Sequence, residues 1–383
     1  AHTDTELLYQ LARAYDESAQ PERAMEIFER LIEDPVSAEN RLYADAQFRR
    51  GEILFGKGSF RLAESAYRAV VSLGDSVAVF EQATYKLGWS LFKQGRYEDA
   101  LQVFFSILDR KAPPSGPFSA YMSTLSSAEQ EQVSDVLRAI SLCFSYLAGP
   151  DSIAAYLSVH EGRSYERRIY QDLAELYERK ELFTDAAVTY LALARRAPQD
   201  RRAPRLFVES IRLYRQAGLV NKVLETQAAF VDGYGLASGF WEHRSVAACP
   251  AVSAALQSSL VDLAGHYHEL ALRTGQEADV REAERWYRAY LAWFNDTQRA
   301  DAMHYQLAEL LFEVGQYASA AVEFEGIAYQ RAGHAQAAEA GLAAIVAYQK
   351  LEERGDDAEV PAEGTGKTTS AIRFAATYPD HPK

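Results

Sequence analysis

The stretch from Leu87 to Phe104, LGWSLFKQGRYEDALQVF, has the pattern of two short helices joined by a tight turn. Apolar and small residues recur at helical spacing in each half, and Gly95 interrupts the pattern between them. The first stripe is Leu87, Gly88, Leu91 and Phe92, and the second is Tyr97, Ala100, Leu101 and Phe104. This stretch therefore predicts one helical hairpin.

The same order of residues returns in four other segments, which begin at Leu11, Arg50, Leu173 and Leu307. Each places a small residue where Gly88 stands and an aromatic residue where Phe104 stands. The small residues are Ala12, Gly51, Ala174 and Ala308, and the aromatic ones are Phe28, Tyr67, Tyr190 and Phe324. Five clear copies of one hairpin are visible.

Three further segments keep only part of the pattern. They are residues 205–230, residues 260–291 and, most weakly, residues 133–160. Helices from Ala335 to Leu351 and from Thr368 to Tyr378 are predicted as a ninth hairpin. The chain is therefore interpreted as an array in which each hairpin covers the apolar stripe of its neighbour.

These motifs, clearest around Gly88, Ala174 and Ala308, resemble the tetratricopeptide repeat family, in which a small residue of the first helix packs against the second helix. The resemblance covers nearly the whole chain. The first three copies are spaced about 37 to 39 residues apart, whereas about 34 is usual for the family. Together with the ending TYPDHP, this spacing is similar to that of tetratricopeptide proteins of the Gram-negative envelope.

The resemblance implies an all-α fold, a right-handed superhelical solenoid of tandem hairpins. We expect repeats 1 to 3 over residues 1–111, then a loop and an irregular hairpin over residues 112–163. Further repeats are expected over residues 164–383, interrupted by long loops at 232–252 and 353–369. Both ends are expected to continue into a longer protein, because repeats begin and end close to them.

The segment that follows the third hairpin, from Lys111 to Gln132, opens with prolines and a glycine. It ends with Ser126 and Glu129, which have the spacing of a capping box at a helix start. Ala63, Ala100, Ala186 and Ala320 are predicted where helices approach most closely. A larger side chain there is expected to overpack the array.

Composition excludes several functional classes. A net charge of -14 argues against DNA or RNA as a partner, because phosphate binding needs a basic stripe. No run approaches the roughly 18 apolar residues of a membrane span. No basic region followed by an apolar stretch is found near Ala1, so no signal peptide is expected.

The sharpest chemical motif is GTGKTT at Gly364 to Thr369, which resembles the end of a phosphate-binding loop. The full motif needs a glycine where Pro361 stands, and no apolar strand precedes it. We therefore interpret it as a loop at a helix start and do not assign Lys367 to a site. The motif remains the only indication of a regulatory or sensor module attached to an ATPase.

Histidines and cysteines do not predict a metal site. His266 and His268 are two residues apart on a predicted helix and therefore point to different faces. Cys143 and Cys249 lack a CxxC partner, and Cys143 is interpreted as a small buried apolar residue. We expect no enzymatic activity, no metal and no cofactor.

In the family, the first helix of each hairpin lines the concave groove. The resemblance places the ligand-contacting positions of copies two and three on a set of aromatic and charged residues. They are Phe48, Arg49, Glu52 and Phe55, followed by Tyr85, Lys86, Trp89, Phe92 and Lys93. These residues predict a partner-binding surface, although any single aromatic residue here can instead pack between helices.

The family's clamp for C-terminal carboxylates needs Lys and Asn where Phe48, Glu52 and Tyr85 stand, so that clamp is not expected. Later groove positions are mostly acidic. They are Gln171, Asp172, Glu175 and Glu178, followed by Tyr305, Gln306, Glu309, Phe312 and Glu313. A long partner with its basic part towards the C-terminal repeats would match this charge distribution.

The sequence thus predicts a non-enzymatic protein-interaction scaffold that binds a protein or peptide, within a bacterial envelope complex. A periplasmic or outer-membrane-associated location is expected, with a cytoplasmic location as the alternative. The alternative functions are an ATPase-linked sensor module and a glycan-associated envelope module whose aromatic residues stack on sugars.

Overall fold

The computed structural model describes residues 2–33, 41–113, 116–158, 163–330, 335–354 and 366–381. Every regular element in these ranges is helical, which confirms the predicted all-α array of hairpins. The chain divides into two units, residues 1–196 and residues 197–383. None of the helices in these ranges has the length and apolar character that crossing a bilayer requires.

The first unit contains three regular hairpins, α1/α2, α3/α4 and α5/α6, followed by three irregular helices and the hairpin α10/α11. The helices are α1 His2–Glu17, α2 Pro21–Glu33, α3 Arg41–Gly56, α4 Phe60–Val71, α5 Phe80–Lys93, α6 Tyr97–Lys111, α7 Phe118–Thr124, α8 Ser127–Tyr146, α9 Pro150–Ser158, α10 Glu166–Arg179 and α11 Phe183–Arg196. From α1 to α6 each helix packs on the next.

The second unit contains the four hairpins α12/α13, α14/α15, α16/α17 and α18/α19, and successive helices again pack together. The helices are α12 Ala203–Gln216, α13 Val220–Tyr234, α14 Pro250–Thr274, α15 Glu277–Trp293, α16 Gln298–Glu313, α17 Tyr317–Gln330, α18 Ala337–Arg354 and α19 Lys367–Thr377. The predicted ninth hairpin corresponds to α18 and α19.

In the second and third hairpins, a small residue of the first helix meets an aromatic ring of the second. A methyl group added to Gly51 would lie 2.6 Å from Tyr67, and one added to Gly88 would lie 2.5 Å from Phe104. Ala63 and Ala100, two of the alanines predicted at close approaches, are fully buried. Ala186 and Ala320 are fully buried as well.

The interrupting segments contain more ordered structure than loops would. Ser126 and Glu129 form the predicted capping box at the start of α8, and α6 packs directly on α8 and α8 on α10. The predicted loop 232–252 holds two short 3-10 helices. Within it, Phe240 is buried and Trp241 Nε1 donates to the Tyr234 carbonyl at 2.7 Å. Of the predicted loop 353–369, residues 355–365 lie outside the described ranges.

A buried carboxylate connects the second and third hairpins. Glu64 of α4 is 7% exposed and accepts hydrogen bonds from Arg68 Nε at 2.9 Å and from Gln94 Nε2 at 2.8 Å. Arg96 Nη1 lies 3.0 Å from both of its oxygens. Burial alone would raise the pKa of Glu64, but these hydrogen bonds and the charges of Arg96 and Arg68 lower it below its usual value.

We expect Gly88→Ala to reduce the free energy of unfolding by about 1–3 kcal/mol, because the added methyl overlaps Phe104. The matched control is Gly233→Ala in α13, where an added methyl meets no heavy atom within 4 Å. That control should stabilise its helix by about 0.5–1 kcal/mol. Urea unfolding followed by circular dichroism measures both, and equal effects would refute the close-contact explanation.

We expect Glu64→Gln to reduce the free energy of unfolding at pH 7 by about 1–3 kcal/mol, because buried hydrogen-bond partners lose the charge they bind. The folded pKa of Glu64 lies below the unfolded one. Its ionisation therefore stabilises the fold above the unfolded pKa, and this contribution disappears as the pH falls through the folded pKa.

The difference between wild type and Glu64→Gln should accordingly shrink on acidification, as measured by urea unfolding across a pH series. Glu98→Gln removes an exposed carboxylate from α6 and serves as the control, with no measurable change expected. A difference that stayed constant with pH would show that the charge of Glu64 does not stabilise the fold.

Candidate partner-binding groove

The predicted groove residues lie on the first helices of two neighbouring hairpins, α3 and α5. Phe48, Arg49, Glu52 and Phe55 are half-buried on α3. On α5, Tyr85, Lys86, Trp89 and Phe92 are half-buried and Lys93 is exposed. Fully buried residues such as Leu91 occupy the opposite side of α5, so each helix presents one framework face and one partly open face.

The charged residues between the two helices satisfy one another. Glu52 accepts a short hydrogen bond from the Tyr67 hydroxyl and forms an ion pair with Lys86 Nζ at 2.9 Å. Lys86 Nζ also lies 5.4 Å from the centre of the Phe55 ring. The pKa of Tyr67 is raised mainly by burial, and also by its hydrogen bond to Glu52 and by the negative charge of Glu52. The charge of Lys86 is thus already neutralised inside the protein.

Arg49 and Phe48 also take part in contacts between helices. Burial, with a smaller contribution from the charge of Asp45, raises the pKa of Tyr9 on α1, and the nearby charge of Arg49 opposes this shift. The ring of Phe48 lies 5.9 Å from that of Tyr67. On α3, therefore, the predicted site residues mainly connect the framework.

The α5 aromatic residues form a continuous series. The ring centres of Tyr85 and Trp89 are 6.2 Å apart, and those of Trp89 and Phe92 are 5.2 Å apart. Phe104, fully buried on α6, lies beneath them at 6.0 Å from Tyr85 and 5.9 Å from Trp89. Their inner edges pack on the framework while their outer edges remain partly open.

Two further tyrosines extend the series. Phe92 lies 5.3 Å from Tyr97 of α6 and 5.6 Å from Tyr146 at the end of α8. Tyr97 and Tyr146 stack at 4.9 Å, and Tyr146 is 57% exposed. We call Tyr85, Trp89, Phe92, Tyr97 and Tyr146 the aromatic ridge.

Sequence reasoning did not identify Tyr97 or Tyr146 as site residues. Tyr97 was visible as part of the second stripe of the hairpin, which is a framework role. Tyr146 belongs to the weakest copy, residues 133–160, where the repeat pattern does not define which residues face the groove. The only feature of the sequence that could have indicated Tyr146 is an aromatic residue at the end of a predicted helix in a degenerate repeat.

Two open clefts lie in the first unit, and one of them includes Tyr85 of the aromatic ridge. This first cleft is lined by Glu81, Gln82, Tyr85, Ile107, Leu108, Lys111, Gln132, Val133, Asp135 and Val136. The second cleft is lined mainly by polar and charged residues of α8 and α10, including Arg138, Arg168, Asp172, Glu175 and Arg179. The first cleft suits an apolar group, and the second suits a polar one.

Burial raises the pKa of two acidic groove residues. For Asp172, the charge of Glu175 adds to this increase, whereas the ion pair with Arg168 at 2.7 Å opposes it. In the second unit, burial and then the charge of Glu313 raise the pKa of Glu309. Phe312 packs at 5.3 Å on Tyr317, across the turn of its own hairpin.

The other sequence motifs have structural contacts. Lys367, from GTGKTT, forms an ion pair with Glu352 at 2.9 Å, and Gly364 and Thr365 lie outside the described ranges. His268 Nδ1 lies 2.8 Å from the Tyr287 hydroxyl, whereas His266 is exposed. Burial raises the pKa of the Cys143 thiol to about 12, and both cysteines are free thiols.

Ring truncations should separate framework residues from surface residues. We expect Phe104→Ala to reduce the free energy of unfolding by about 3–5 kcal/mol, because it empties a fully buried site. We expect Tyr146→Ala to reduce it by no more than about 1.5 kcal/mol, since it removes an exposed stacking pair. Urea unfolding measures both changes. A large effect of Tyr146→Ala would make that residue part of the core.

Comparison with known proteins supports the tetratricopeptide interpretation for the N-terminal repeats. The tetratricopeptide repeat family model matches residues 9–78 and 56–117, a region that extends from the first hairpin through the third. No curated protein matches this sequence.

Several solved structures are similar to this chain. Pseudomonas aeruginosa pilF has 17% identity, with 62% of this chain and 95% of that chain covered, at a TM-score of 0.29. The C-terminal part of a TPR repeat-containing protein from Cytophaga hutchinsonii has 12% identity and a TM-score of 0.31, with 77% and 98% covered. The TPR2AB domain of yeast Sti1, in complex with an HSP90 peptide, has 12% identity and a TM-score of 0.28, with 97% and 100% covered. Because these scores are low, the repeat architecture rests on the helix packing of this chain and on the family match.

Proposed function

We propose that this protein is a non-enzymatic interaction scaffold, and that its aromatic ridge binds a segment of a partner protein. The observation that carries the proposal is the exposure of the ridge. Trp89 and Phe92 are half-buried, and the stacked Tyr146 is 57% exposed. Rigid aromatic side chains lose little conformational entropy on binding and are enriched among the residues that dominate protein interfaces.

The hairpin framework supports this role mechanically. Phe104 is fully buried directly beneath Tyr85 and Trp89, so the ridge is held by the same ring that closes its hairpin. A preorganised surface binds with a smaller entropic loss than one that must first become ordered. Repeat arrays use such extended surfaces to bind partners.

We further propose that this binding occurs within a bacterial envelope complex. The support comes from the sequence, in the spacing of about 37 to 39 residues between the first three copies and in the motif TYPDHP. Fractionation of cells of the source organism tests the location. Recovery of the protein with periplasmic or outer-membrane material is expected, and recovery only with cytosolic proteins would reject it.

We expect a photoreactive residue at position 89 to crosslink one specific protein in cells of the source organism, as identified by mass spectrometry. With that partner purified, Trp89→Ala should weaken binding at least about tenfold, as expected for a central aromatic contact. Isothermal titration calorimetry measures the change.

The matched control is Leu62→Ala, which truncates an apolar side chain that is 52% exposed on the second helix α4. It should leave binding unchanged. Capture from position 62 but not from position 89 would place the binding surface on the second helices and reject the ridge. Circular dichroism of both variants establishes that the helices are retained.

A further inference from the structure

The first cleft provides a binding site for an apolar side chain beside the ridge. Its floor consists of aliphatic residues from α6 and α8, which are Ile107, Leu108, Val133 and Val136, each no more than 5% exposed. Tyr85 lines the same cleft and also begins the aromatic ridge, so the cleft and the ridge form one continuous surface. An apolar group placed there would be removed from water on several sides.

The charges at the rim of this cleft are paired with one another. Lys111 Nζ forms an ion pair with Glu81 at 2.9 Å and lies 3.5 Å from Gln132 Oε1. Asp135 forms an ion pair with Arg138 at 2.8 Å. The rim therefore does not demand a charged ligand group, and the cleft selects for an apolar one.

The end of the ridge at Phe92 and Tyr146 lies beside positively charged side chains. Lys180 Nζ lies 6.0 Å from the Tyr146 ring centre, Arg179 precedes it in the sequence, and Lys93 follows Phe92. All three side chains are exposed. Among the described residues, Lys93 and Lys180 form no ion pair with a carboxylate, whereas the charge of Arg179 acts on Asp172. Lys86, by contrast, is neutralised by Glu52.

Lys93 and Lys180 are thus exposed cations on a chain whose net charge is -14. Lys93 follows Phe92 and Lys180 lies over Tyr146, whose ring is 5.6 Å from that of Phe92, so both cations border the same part of the ridge. Their charges attract a ligand of opposite sign. Carboxylates are the protein groups that Lys and Arg bind most directly. Lys93 and Lys180 therefore complement an acidic segment, in contrast to the basic segment that the acidic groove positions Asp172, Glu175 and Glu178 predict.

We propose that the ridge takes a peptide segment with two features, an apolar anchor side chain that enters the cleft beside Tyr85 and a cluster of carboxylates that reaches Lys93 and Lys180. This inference rests on the proposed function and adds to it the chemistry and the direction of the bound segment. The buried anchor supplies most of the affinity. The charges supply specificity and the rate of association.

The test is selection of peptides from a random displayed library on the immobilised full-length chain, followed by binding measurements with the enriched peptides. We expect them to share a large apolar residue together with several Asp or Glu residues on one side of it. Gln132→Trp, which places a large ring at the mouth of the cleft, should weaken their binding about tenfold. The double variant Lys93→Glu/Lys180→Glu should weaken it about tenfold and reduce its salt dependence.

Matched controls are available in the same unit. Glu131→Trp adds the same ring one residue away on α8, outside the cleft lining. Arg195→Glu reverses an exposed charge on α11. Neither control should change peptide affinity. Thermal unfolding of all variants establishes that the fold is retained.

Enrichment of basic peptides, or no enrichment, would overturn the inference, as would affinity that is insensitive to both Gln132→Trp and the charge reversal. Trp89→Ala distinguishes this failure from failure of the proposed function. If the enriched peptides still depend on Trp89, the ridge binds partners by another chemistry. If they depend on none of these residues, both proposals fail.

Discussion

In the second, third and last hairpins a small residue of the first helix contacts an aromatic ring of the second, and this contact is the constraint on which the rest of the structure depends. At Gly88 a single added methyl would lie 2.5 Å from Phe104, and the last hairpin has the same arrangement, with 2.7 Å between an added methyl on Gly341 and Phe374. Such proximity brings two helices close enough for both to share one core. Without it, short helices could not bury enough apolar surface to remain folded.

This contact also determines which aromatic residues are available for binding. Phe104 fills the space above Gly88 and cannot reach solvent, whereas Trp89, one residue beyond Gly88, points its ring across that filled space. Phe55 and Phe92 are held at 5.2 Å and 5.3 Å by aromatic residues across the turns of their own hairpins. The aromatic ridge therefore consists of residues that pack on the framework and also remain partly exposed. This explains why the same residues combine a structural role with the proposed binding role.

Ion pairs inside the framework likewise determine which charged residues remain available to a partner. Glu64 fixes the turn of the following hairpin, and Glu52 takes up the charge of Lys86 between two first helices. These carboxylates connect neighbouring repeats, so they are structural even though they lie close to the groove. The charges available to a partner are those at the helix ends, where Lys93 and Lys180 extend into solvent. Groove charge consequently cannot be estimated from composition alone.

The sequence by itself determined the hairpins and the repeat pattern, including the capping box of Ser126, because helical periodicity and capping are local properties of the chain. It also located the aromatic stripe of α5, which needs only the spacing of Trp89 and Phe92. Only the tertiary structure decided that Tyr146 stacks on Tyr97 and that Lys86 is neutralised. Both depend on how helices distant in sequence approach one another, and the irregular segment between α6 and α10 leaves that approach without a repeat pattern to predict it.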